Sequence, residues 1–216
     1  QKSYYYFNSN LKFYLPNSNY HIYNRGVEKR IIFKDDQDYK VFLSYVKEYL
    51  SPIQQGATLQ YRELTGKYYN EITLLAFCLM PNHFHLLIRQ IKKDSIIKFT
   101  RSLFTRYSMY FNKRYSRIGS LFQGIYKATN VIDKEHLLYV SKYIHLNPNK
   151  ITKNLDHTFS SYSDYLGHTN TMWLNKNIIL DEFSKSTYMK YHKIKTYKQF
   201  VEEYKDDQPQ YYIDNL

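Results

Sequence analysis

"EITLLAFCLMPNHFHLLIRQ", residues 71–90, decides how the chain folds. It holds two apolar runs of strand length, "EITLLAFCLM" (71–80) and "HFHLLIRQ" (83–90), divided by the turn signal Pro81-Asn82. Two adjacent strands are expected. Side chains alternate along the second, so His83 and His85 project from one face and Phe84 from the other. Two imidazoles about 7 Å apart along a strand can converge on one divalent cation, each through one ring nitrogen. The pair alone is a weak signal, because eight histidines in 216 residues give about 0.3 His-x-His occurrences by chance. Two half-buried histidines with ordinary hydrogen-bond partners fit this stretch equally well.

Upstream, "YHIYNRG" (20–26) alternates as a strand ended by Gly26. "DDQDYKVFLSYVKEYL" (35–50) sets Tyr39, Phe42, Leu43, Val46 and Leu50 at helical spacing, with acids in the first turn and Pro52 beyond its end. Residues 1–19 read as an irregular arm, and residues 51–70 as a hairpin or insertion around "TGKYYN". Downstream, a basic helix runs from Ser95 to about Tyr115, followed by a connector over 116–130. "DKEHLLYVSKYIHLNP" (133–148) is a second long helix that Pro148 ends near Asn147. This order predicts an α+β fold: an antiparallel sheet of ferredoxin-like or RRM-like type with helices packed on one face. A principal domain is expected over 20–150. A mostly irregular and helical extension, 151–216, packs on or near it.

The hydrophobic fraction of 43% suits a globular core. The 26 tyrosines accompany abundant Lys, Asn and Ile, as an AT-rich coding bias produces, and carry no functional weight. Charge does. Lys and Arg number 31 against 19 acids, a formal +12 that favours a polyanionic partner over a merely solvated basic surface. A single cysteine, Cys78, excludes an internal disulfide and reads as a buried thiol in a reducing compartment. The longest apolar run, "ITLLAFCLM", is about half a bilayer span, and no signal peptide is expected ahead of "QKSYYYF". A soluble, cytoplasmic protein with no membrane partner is expected.

In "KYIHLNP", Tyr143 and Asn147 lie four apart and share a helix face. Leu137, Val140 and Ile144 form an apolar stripe able to fix that helix against the sheet, beside a second stripe of His136, Tyr139, Tyr143 and Asn147. With the helix alongside the histidine strand, Asn147 offers an amide oxygen as a third ligand and Tyr143 a phenolic oxygen near the ion. Such a site keeps positions open for a phosphate oxygen. Packing is the commoner role for a helical tyrosine, and spacing does not separate Tyr143 from Tyr139.

Taken together, "MPNHFHLL", "GSLFQGIYKA", "EHLLYVSKYIHLNP" and "SSYSDYLG" resemble the REP-associated tyrosine transposases. These belong to the single-tyrosine HUH class (His, a bulky apolar residue, His). The likeness runs from "YHIYNRGVEKRIIF" to about "YKQFVEE", and "PNHFHLL" with "YIHLNP" is its specific pair. The resemblance implies an Mg²⁺- or Mn²⁺-dependent nuclease and strand transferase for single-stranded DNA, acting on hairpin-bearing element ends as a monomer or homodimer. It implies that His83, His85 and Asn147 bind the metal and that Tyr143 is the nucleophile, leaving a 5′-phosphotyrosine. Residues 51–70 run longer than the family's usual link, and "NKITKN" replaces its Val-Arg-Ala-Gly run.

Arg25, Arg101, Arg106, Lys113, Arg114, Arg117 and Lys127 are the expected DNA contacts, while Tyr107 and Phe111 read as core before base-stacking platforms. A nickase or replication initiator would use the same chemistry. A domesticated DNA-binding protein would lack it. A two-histidine RNA phosphoesterase would repeat His-x-Ser/Thr, which is absent here.

Overall fold

The computed structural model describes residues 14–53 and 65–203. Four strands, β1 (Ser18–Arg25), β2 (Ile72–Met80), β3 (His83–Gln90) and β4 (Lys127–Val131), form one sheet in the order β2-β3-β1-β4. All neighbours in it are antiparallel. Helix α1 (Asp36–Leu50) joins β1 to β2, and α2 (Ser95–Arg114) joins β3 to β4. The result is the ferredoxin-like βαββαβ topology expected above. Asp35 caps α1 by accepting from the backbone N–H groups of Gln37 and Asp38.

The sheet separates two cores. On one face Ile22, Phe84, Leu86 and Ile88 pack against Phe42 and Val46 of α1 and Phe99, Leu103, Tyr107 and Phe111 of α2. On the other, Ala76, Cys78, Met80 and Leu87 meet Leu137, Val140 and Ile144 of α3 (Lys134–Leu146). Helices therefore cover both faces rather than one. The crossover pair takes the first face, while α3 and the extension bury the second, whose apolar strand residues water would otherwise wet. The extension carries α4 (Tyr162–Leu166), α5 (Asn177–Lys185), α6 (Thr187–Tyr191) and α7 (Tyr197–Glu202).

A register shift between Leu74 and Ala76 sets which residues of β2 face which core. The extra residue lets Leu74, Phe77 and Leu79 join the α1–α2 core while Leu75, Ala76 and Cys78 join the other. Cys78 is fully buried, as expected, and burial pushes its thiol pKa up. The outer edge of β2 is closed by the extension. Leu79 donates its N–H to the Phe159 carbonyl at 2.9 Å, Ser161 to that of Phe77 at 3.0 Å and Asn175 to that of Leu74 at 2.9 Å.

Strand β4 lies, but for Val131, within the stretch read as a connector. It has five residues, of which Val131 alone is buried, so no alternation announces it. The expected hairpin over 51–70 and the arm over 1–19 fall largely outside the described residues. Among the described residues no helix is long and apolar enough to cross a membrane.

Candidate functional site

The β1–β3 register puts Tyr23 opposite His85 and Arg25 opposite His83, so all four side chains share the face that α3 covers. On β4, Lys127 stands opposite Tyr23. A cleft of about 440 Å³ opens there, lined by Tyr23, Asn24, Arg25, Lys29, Asn82, His83, His85, Gln123, Ile125, Lys127 and Tyr143. Three cations line it and no carboxylate does.

Tyr143 reaches this cleft from α3, its ring edge-on to His85 at 5.4 Å and to His21 at 5.9 Å. Tyr139, one turn earlier, packs instead against Phe200 at 5.8 Å and Tyr188 at 6.4 Å. The two tyrosines that spacing left equivalent thus occupy different surroundings. A third, Tyr23, lies beside His85 at 5.8 Å. Burial, and then the neighbouring Tyr143, raises its phenol pKa above the ordinary tyrosine value.

Asn147 is held by the way α3 ends. Pro148 has no N–H to give the Ile144 carbonyl. The helix tightens into a 3₁₀ turn over Asn147–Lys150, and the Asn147 N–H goes to Ile144. This frees the Tyr143 carbonyl, which the Asn147 side chain takes through Nδ2 at 3.1 Å. With Nδ2 so engaged, Oδ1 faces the His83 Nε2 at 3.5 Å and accepts from the Lys150 ammonium at 3.4 Å.

His83 meets Asn82 Oδ1 through Nδ1 at 2.7 Å, which places the ring proton there and leaves a lone pair on Nε2. Two acceptors, His83 Nε2 and Asn147 Oδ1, therefore face one another. A cation relieves that opposition, and two donors about 2.1 Å from one Mg²⁺-type ion stand about 3 Å apart. His85, its ring centroid 5.1 Å from that of His83, is the third candidate ligand. Burial holds His83 below the ordinary histidine pKa; Asn147 opposes this and Lys150 adds to it. Burial, with His21, His83 and Lys150 behind it, holds His85 well below. Neutral imidazoles are what a metal requires. Among the described residues no cluster of three His, Cys, Asp or Glu side chains could hold a metal, so the donor set fits only with the Asn147 amide as its third member.

The expected DNA contacts divide. Arg25 and Lys127 line the cleft, Arg25 steadied by a 2.6 Å hydrogen bond from its Nε to Gln123. Arg101 and Lys113 are exposed on α2, and Arg117 donates to Asn112 at 2.8 Å. Arg106 and Arg114 do not stand free for phosphate. Arg106 pairs with Glu48 at 2.6 Å and covers the Tyr45 ring at 3.8 Å, while Arg114 bridges Asp35 and the buried Asp38, each at 2.6 Å. Both fasten α2 to α1. Tyr107 and Phe111 are buried in the core, away from bases.

Sequence reading missed His21, Tyr23, Lys29 and Lys150. For the first two a signal existed, since "HIYNR" repeats in β1 the period-two spacing of His83 and His85. Lys29 and Lys150 are two cations among 31, with no local pattern to mark them.

The profile of the family described as transposase IS200 like matches residues 15–147, from just before β1 to Asn147. Among solved structures, a REP-associated tyrosine transposase bound to a REP hairpin aligns with a TM-score of 0.53 at 12% identity, over 78% of this chain and 98% of that one. A provisionally assigned transposase from Deinococcus radiodurans R1 aligns at 0.38 and 12% identity, over 65% and 95%. No curated protein matches the chain. The structural likeness supports the fold, and the profile covers more than half of the sequence: the chain belongs to the IS200-like transposases, enzymes that process DNA.

Proposed function

We propose that the protein is a metal-dependent endonuclease and strand transferase for single-stranded DNA, forming a covalent 5′-phosphotyrosine on Tyr143 at hairpin-bearing element ends. The observation that carries this reading is the meeting of Tyr143, His83, His85 and Asn147 at a cleft lined by Arg25, Lys29 and Lys127 and by no acid. His83, His85 and Asn147 would hold Mg²⁺ or Mn²⁺, which, when bound, withdraws charge from a scissile phosphate.

The chain's own residues do the rest. The cleft cations hold the DNA backbone. The Tyr143 oxygen attacks phosphorus, the bond to the 3′ oxygen breaks, and that oxygen leaves as a hydroxyl after taking up a proton. One phosphodiester is exchanged for another, so a 3′-hydroxyl can reverse the step and join strands without ATP. All four side chains belong to one chain, an arrangement that suits a monomer or each protomer of a homodimer. The catalytic unit lies within residues 20–150, and 151–216 support it.

Labelled single-stranded hairpin DNA incubated with the protein and Mn²⁺ gives an adduct that survives denaturation, and Tyr143→Phe abolishes it while binding persists. An adduct retained by Tyr143→Phe and lost in Tyr23→Phe would transfer the nucleophile's role to Tyr23. Joining of paired element ends separates a transposase from an enzyme that only nicks.

A further inference from the structure

His21 belongs to no part of the reaction described so far, yet it is wholly buried on the cleft side of β1. Its Nε2 lies 2.8 Å from His85 Nδ1. The ring centroids are 5.0 Å apart with planes 20° from parallel. That separation exceeds the nitrogen–nitrogen distance by about two ring radii, so the imidazoles meet edge to edge and the shared proton lies along the acceptor's lone pair. We infer that His21 is a positioning residue: by accepting from His85 Nδ1–H it fixes the His85 ring and tautomer and leaves Nε2 unprotonated toward the cleft. The inference rests on the proposed cation site only for its consequence, since the tautomer itself can be observed without a metal.

A packing role does not account for His21. Its own Nδ1 is buried with no hydrogen-bond partner among the described residues, an arrangement a leucine or phenylalanine of similar bulk would avoid. Tyr23 is at its side at 5.0 Å and Tyr143 edge-on at 5.9 Å, so among the described residues His85 is its one hydrogen-bond partner. A neutral ring that accepts through Nε2 carries its own proton on Nδ1. The pairing with the proton reversed would put N–H on His85 Nε2 and turn a donor hydrogen toward any cation. Ligating histidines commonly have the second ring nitrogen fixed in this way, and losing the partner typically costs 10–100-fold in metal affinity.

Long-range ¹⁵N–¹H correlation spectra of the full chain, free of metal, read the tautomer directly. In the wild type His85 is expected to carry its proton on Nδ1. His21→Phe keeps the bulk and removes the acceptor; His85 then moves to the Nε2–H form, and Mn²⁺ affinity measured without DNA falls about 10–100-fold. His21→Gln, whose amide oxygen accepts from the same nitrogen, restores most of both. A wild-type His85 protonated on Nε2 overturns the inference, whether or not His21→Phe folds. So does a folded His21→Phe that keeps the Nδ1–H form and full Mn²⁺ affinity. Should the wild type show the Nδ1–H form, His21→Phe lose it and neither bind Mn²⁺, positioning by His21 stands and the cation site falls.

Discussion

Lys150 shows how much one side chain can contribute beside a cleft that it does not line. Its ammonium donates to Asn147 Oδ1 and acts electrostatically on both His83 and His85. A fixed positive charge at that point stabilises the negative charge that builds on an attacked phosphate. Lys150→Ala is therefore expected to slow adduct formation about tenfold or more, with Lys150→Arg retaining most of the rate, in single-turnover cleavage of labelled hairpin DNA. The ligand candidates were legible in the sequence because strand alternation and helix periodicity fix faces: His83 with His85, Tyr143 with Asn147. Lys150 was not, because it sits where α3 has become a 3₁₀ turn and helical spacing no longer says which way a side chain points.

Among the elements, α2 and the β1–β4 end of the sheet divide the basic residues by task. Under the proposed function the cations of the cleft neutralise phosphates and release counterions, and the arginines on α2 that pair with α1 do not. Arg25→Ala and Lys127→Ala should each lower the slope of log affinity against log salt by about 1. Arg106→Ala should leave that slope alone and cost about 1 kcal/mol of stability, from a half-buried ion pair and the stacked Tyr45 ring. Equilibrium titrations at several salt concentrations, with urea unfolding of the same variants, distinguish the two behaviours. Strand β3, α1 and α2 were legible to within a residue at their ends, β3 from the turn signal before it and the helices from their spacing, with acids in the first turn of α1. The β2 register shift was not. In "ITLLAFCLM" every position but Thr73 is apolar, and a strand buried on both faces carries no mark of a slipped phase.

For the molecule as a whole, the extension acts as a wall of the second core. His145 of α3 bonds Tyr197 at 2.8 Å through Nδ1 and Ser161 at 2.8 Å through Nε2, and Ser161 in turn meets the Phe77 backbone. Burial lowers the His145 pKa to about 3. The unfolded chain therefore binds a proton that the folded one refuses. This contribution to stability is complete above about pH 6.5 and declines as the pH falls from there toward 3. The slope is up to about 1.4 kcal/mol per pH unit. His145→Gln, which can keep both hydrogen bonds, should lose less stability between pH 7 and pH 5 than the wild type, by about 1 kcal/mol or more, in urea unfolding at the two pH values. Charge and composition gave no hint of this inner polar seam, because its partners come from three separate stretches of chain.

Pro148 touches nothing in the cleft, yet it governs where an amide oxygen points. Restoring a backbone N–H at that position, as Pro148→Ala does, lets the ordinary i→i−4 ladder resume; the Asn147 N–H returns to the Tyr143 carbonyl and its carboxamide loses the anchor that aims it. Mn²⁺ titration of that variant should then show weakened binding with every candidate ligand intact. Asparagine and proline here work as a single device, and a survey of point changes that skipped the silent neighbour would credit Asn147 with an orientation it does not hold alone.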